Sequence, residues 1–66
     1  MTDIDTGKVT NVVNNGDKTI VEITFMDNLT KTIVLAQEDI NKYKDKYVIC
    51  AMDSDNNTKI LDIVDA

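Results

Sequence analysis

The sequence predicts a small all-β domain, five strands and one short helix curled into a barrel. Three observations predict it. Residues 19–35 (TIVEITFMDNLTKTIVL) carry two runs of alternating apolar and polar residues on either side of a turn. Further β-branched runs recur along the chain, separated by Asn, Asp, Gly and Ser. Only residues 36–44 read as a helix.

The central hairpin sets the register. Val21, Ile23 and Phe25 alternate with Glu22 and Thr24. After the turn, Leu29, Ile33 and Leu35 share one parity, with Lys31 as its polar member. A two-residue loop would set the apolar face of one strand against the polar face of the other. A three-residue loop, Met26, Asp27 and Asn28, pairs Phe25 with Leu29, Val21 with Ile33 and Glu22 with Thr32. It needs a left-handed third residue, and Asn accepts that conformation better than most. A one-residue slip would turn every side chain to the wrong face, so the three-residue loop is expected. Lys31 then belongs near an open end of the barrel, its stem packed and its amine in water.

Residues 1–6 are expected to form a tail, mobile or adding to a sheet edge, and 7–66 a single barrel domain. Residues 7–13 (GKVTNVV) form the first strand, with a bulge that keeps both Val9 and Val12 inside. Asn14, Asn15, Gly16 and Asp17 make a hairpin turn. In 36–44 (AQEDINKYK), acids come early and lysines late, as the helix dipole prefers. Ala36 is no N-cap, and so short a helix must be held by packing of Ile40, with Tyr43 helping to plug the barrel end. Residues 47–53 (YVICAMD) are the fourth strand, apolar on both faces. Residues 54–57 turn, and 58–64 (TKILDIV) are the fifth strand, with a bulge near Asp62. Three strands, a short helix and two strands is the order of an OB-type barrel, and across 7–64 the chain resembles a minimal OB-like barrel. An SH3-like barrel is the alternative. The resemblance carries no functional motif, and fold alone does not give function.

Sixty-six residues make one domain with a thin core. Seven lysines against twelve acids give a net charge of −5, with no histidine and no proline. An acidic surface repels phosphate, which disfavours nucleic acid and anionic membranes and favours a basic partner. Cys50 is the only cysteine, so an intrachain disulfide is excluded and a reducing compartment fits. With an acidic start and no long apolar run, the expectation is a cytoplasmic protein, in a host cytoplasm if phage-encoded.

Each motif that resembles a chemical site has a simpler explanation. Asp53, Ser54, Asp55, Asn56 and Asn57 begin like a calcium loop, but Thr58 replaces the required Gly and Val64 the required Glu. A polar hairpin loop explains them. Cys50 has no histidine to activate it and reads as a buried structural thiol. One Cys and no His do not make a zinc site. The two glycosylation sequons, at Asn28 and Asn56, are chance matches in a chain with no visible secretory signal. No catalytic residue, metal or cofactor is expected, and the protein is read as a non-enzyme.

The expected function is protein–protein interaction, as an inhibitor or adaptor. One form is a phage-type antagonist whose carboxylates mimic nucleic-acid phosphates against a basic groove of a host enzyme. The expected contact residues are Ile20, Glu22, Val34, Glu38, Asp39 and Ile49, facing a partner that is basic or has an apolar groove. A second reading is nucleotide or short-oligonucleotide binding by Lys42, Tyr43, Lys44, Lys46 and Tyr47, the only basic-aromatic cluster. A third is a structural subunit of a larger assembly, a homo-oligomer included.

Overall fold

The computed structural model describes residues 3–55 and 57–65. Five strands occur in chain order: β1 (Asp3–Asn15), β2 (Lys18–Phe25), β3 (Thr30–Ala36), β4 (Lys46–Met52) and β5 (Thr58–Asp65). They form one antiparallel sheet in the order β3-β2-β1-β4-β5. Among the described residues the only helical element is a single 3₁₀ turn, Ile40–Lys42, between β3 and β4.

The β2–β3 hairpin has the register that parity demands. Val21 pairs with Ile33, Glu22 with Thr32 and Ile20 with Val34. The Phe25 N–H donates to the Leu29 carbonyl at 2.8 Å, and Asn28 is left-handed with φ 65°. The loop is the three-residue one. Lys31 lies opposite Ile23 on the inner parity and is half-buried. In the β1–β2 turn, Gly16 takes φ 64° at the first loop position, between the paired Asn15 and Lys18.

Both bulges are present. The β1–β2 register shifts between Val9 and Asn11, which makes Thr10 the extra residue and keeps Val9 and Val12 on the core. In β5 the shift falls at Leu61, one residue before Asp62, and Ile60 and Ile63 both pack inward. β1 is longer than expected. Asp3, Ile4, Asp5 and Thr6 continue it by pairing with Met52, Ala51, Cys50 and Ile49 of β4. These residues lie inside the sheet, where they join β1 to β4, and not at either edge; Met1 and Thr2 lie outside the described residues.

The inner face gathers Val9, Val21, Ile23, Phe25, Ile33, Tyr43, Val48 and Cys50 into one core. Buried Thr19, on the same parity of β2, closes one end. Its hydroxyl donates to Asn14 Oδ1 at 2.7 Å and accepts from the Glu38 N–H at 2.8 Å.

Two expectations need correction. The helix expected over 36–44 is reduced to one 3₁₀ turn, Ile40–Lys42, and Ala36 is the last residue of β3. Thr19 captures the Glu38 backbone, and the Asp39 carboxylate caps the turn by accepting from the Asn41 N–H at 2.9 Å. The plug is Tyr43, 4% exposed, while Ile40 is only half-buried. The expected barrel is met in part: among the described residues β3 and β5 share no hydrogen-bonded ladder, so the sheet is open. Each of the four strand pairings is antiparallel, which leaves β3 and β5 running the same way at opposite edges.

Candidate functional site

On the outer face, the register lines up Val13, Ile20 and Val34 across β1, β2 and β3. Val13 is 43% exposed and Val34 59%, with half-buried Ile20 between them. Inward-facing neighbours fill the core and leave this apolar row to water. Ile20 and Val34 stand out from sequence parity; Val13 joins them only through the register shift at Thr10. Glu22 lies two residues along the same face, where its Oε1 accepts from the Thr10 hydroxyl at 3.0 Å. Ile49 is not brought to this row. It pairs with Thr6, seven residues before Val13 on β1, roughly 20 Å away at strand rise. Around Ile49 the outer face of β4 and β5 carries Tyr47 opposite Val64, and Ile4 opposite Ala51.

Glu38 and Asp39 are committed to local structure. Asp39 is the cap of the 3₁₀ turn. Glu38 Oε1 pairs with Lys42 Nζ at 2.9 Å, and Oε2 accepts from the Tyr43 hydroxyl. The Tyr43 hydrogen bond and then Lys42 hold the Glu38 carboxyl below its usual range. Burial first, and the same carboxylate second, push the Tyr43 phenol up to about 12.

The basic-aromatic cluster is dispersed by this arrangement. Tyr43 is in the core and Lys42 is ion-paired, its amine 5.6 Å from the Tyr43 ring centroid. Lys46 pairs with Asp65, which lowers the Asp65 carboxyl. Lys44 and Tyr47 remain exposed. Lys44 borders a cleft of about 290 Å³ with Val12 and Ile40.

The 53–57 loop is organised by its own backbone. Asp53 Oδ1 accepts from the N–H groups of Asp55 and Asn57 at 2.9 and 3.0 Å. These bonds, Asn57 foremost, lower the Asp53 carboxyl. Among the described residues no three His, Cys, Asp or Glu side chains converge as metal ligands would. Cys50 is fully buried, and burial, then the charge of Asp5, raises its thiol. No helix of the described residues is long and apolar enough to cross a membrane.

A groove of about 800 Å³ opens between the free edges of β3 and β5. Ile33, Leu35, Ile60 and Ile63 line it, with Tyr43, Glu38 and Lys42 near the 3₁₀ turn. Sequence reading does not find this groove, because no local pattern reports whether two edge strands meet.

In comparisons with known proteins the chain matches no family model, no curated protein and no solved structure.

Proposed function

We propose that the domain is a non-enzymatic binding protein that works by contact with another protein. The observation that carries this reading is the exposed row of Val13, Ile20 and Val34 on a chain of net charge −5. An apolar strip set in an acidic surface suits a basic partner with an apolar groove. A standard contact covers about 800 Å² on each side. That is roughly a fifth of the 4487 Å² that this chain exposes, so one substantial partner is near its capacity. The engaged states of Lys42, Tyr43 and Lys46 favour protein contact over nucleotide binding. In its narrower form the reading is an inhibitor whose carboxylates replace phosphates in the basic groove of a nucleic-acid enzyme. The strand order, with a short turn between the third and fourth strands, supports an OB-like rather than an SH3-like scaffold for it.

The test is capture of a partner from lysate on the immobilised chain, a salt titration of the complex, and comparison with Val34→Asp. The expected outcome is a complex that weakens as salt rises and at least about tenfold weaker binding by Val34→Asp, as truncation of a central apolar contact gives. A salt-insensitive complex, equal binding by Val34→Asp, or no captured protein counts against the reading.

A further inference from the structure

The outer face has a second apolar region, on the first half of β1 with β4 and β5. Ile49 is its centre, half-buried between Thr6 of β1 and Asp62 of β5. Two residues back along β4, Tyr47 lies between Lys8 and Val64; two residues on, Ala51 lies between Ile4 and Lys59. Ile60 and Ile63 both point inward, so the bulge turns Leu61 and Asp62 outward together. Four of the eight exposed large apolar side chains, Ile4, Tyr47, Leu61 and Val64, therefore surround Ile49. Charged residues, Lys8, Lys59 and Asp62, stand at the margin. An apolar centre inside a charged rim is the anatomy of a protein contact.

Charge, area and symmetry point to a second copy as the occupant. Two lysines and one acid give this face a balance of +1, so the remaining −6 of the net −5 lies elsewhere. A basic partner, which the rest of the surface attracts, gains nothing here. Two copies meeting on this face keep their acidic surfaces apart. The 4487 Å² surface shared over 66 residues gives about 70 Å² apiece, so these ten residues present about 700 Å². A standard interface takes about 800 Å² from each side. A two-fold axis along β4 lays β1 of one copy over β5 of the other and Ile49 on Ile49, with strands aligned as in packed sheets. Lys8 of each copy then stands beside Asp62 of the other, and the two Lys59 fall on opposite margins. A chain this short is marginally stable alone, and burial of this face adds to its stability.

We propose that the outer face around Ile49 is a homodimer interface, two copies packing sheet on sheet about a two-fold axis along β4, with Lys8 of each against Asp62 of the other. The proposal goes beyond the protein-binding reading and stands without it. The Val13, Ile20 and Val34 row, roughly 20 Å away at strand rise, stays open on both copies.

The test is sedimentation equilibrium of the chain from micromolar to millimolar concentration. The mass should move from 7.4 kDa toward twice that value, and the urea midpoint should rise with concentration. Ile49→Asp should be monomeric throughout, and Leu61→Lys, at an exposed bulge position, should weaken the dimer at least about tenfold. Lys8→Glu should weaken it about tenfold, since two symmetric pairs change sign at once, and adding Asp62→Lys should restore it. Val34→Asp should dimerise as the parent does. A chain that stays monomeric at millimolar concentration, a dimer that survives Leu61→Lys unchanged, or no rescue by the charge swap overturns the proposal. If the chain is monomeric yet captures a partner that Val34→Asp loses, the dimer falls while the protein-binding reading stands.

Discussion

Gly7 sits on the inner face of β1, opposite Phe25 on one side and Val48 on the other. A methyl group there would overlap Ile23 Cγ2 and come within 2.9 Å of the Phe25 ring. Gly7→Ala gains about 0.4–1 kcal/mol from a stiffer unfolded chain. Overpacking costs about 1–3 kcal/mol, and it wins. The variant should show a lower urea midpoint with an unchanged slope; a higher midpoint would refute the overlap. Thr58 presents the opposite case. Its Oγ1 is enclosed and has no hydrogen-bond partner among the described residues. Thr58→Val puts a methyl where the unpaired hydroxyl stands and should raise stability by about 1 kcal/mol. A lower midpoint would mean that the hydroxyl has a partner in solution. Neither effect is legible in the sequence. Gly7 reads there only as the start of a strand, because its constraint comes from two side chains sixteen and eighteen residues away.

Among the elements, the β2–β3 hairpin is the one that local chemistry specifies. Its parity fixes the pairing, and the pairing forces a left-handed residue at Asn28. Asn28→Val puts a β-branched side chain at φ 65° and should cost about 1–2 kcal/mol. Asn28→Gly should cost far less, so equal urea midpoints for the two variants would reject this account of the loop. The two bulges are legible for the same reason, since Val9 with Val12 and Ile60 with Ile63 must each reach one core from positions three apart. The stretch at 36–44 reads less well. Its charges and its Ile40, Tyr43 spacing suit a helix, but Thr19, nineteen residues before Glu38, holds the Glu38 backbone outside helical geometry. The candidate contact residues divide along the same line. Ile20 and Val34 meet because they share one hairpin. Ile49 stands apart because it pairs with the other half of β1.

For the molecule as a whole, stability should fall at both ends of the pH scale. Glu38, Asp53 and Asp65 have folded-state values below their ordinary 4.5 and 3.8. Their contribution is therefore complete above those values and is lost as pH falls through the lowered ones. Tyr43 is raised from 10.0 to about 12, so its contribution is complete below 10 and drains away as pH climbs toward 12. Tyr43→Phe should flatten the alkaline arm of a denaturation profile and Glu38→Gln the acid arm. An alkaline arm that persists in Tyr43→Phe would assign it to other groups. The open sheet also shows at this scale. A 7.4 kDa chain exposes 4487 Å² where the size scaling gives about 4,200 Å², and the groove between β3 and β5 is the kind of feature that adds such surface.

By itself the sequence determined the number and order of the strands, the hairpin register, both bulges and the inward parity of the core, though not the extension of β1 back to Asp3. These follow from alternation and turn chemistry, which act over a few residues. Tertiary structure decided that β3 and β5 remain separate edges, that Tyr43 more than Ile40 is the plug, held by Glu38, and that Lys42 and Lys46 are each paired with a carboxylate. Those outcomes depend on how far a twisted sheet curls and which distant groups it brings within hydrogen-bond reach. Neither quantity is written in any local pattern of side chains.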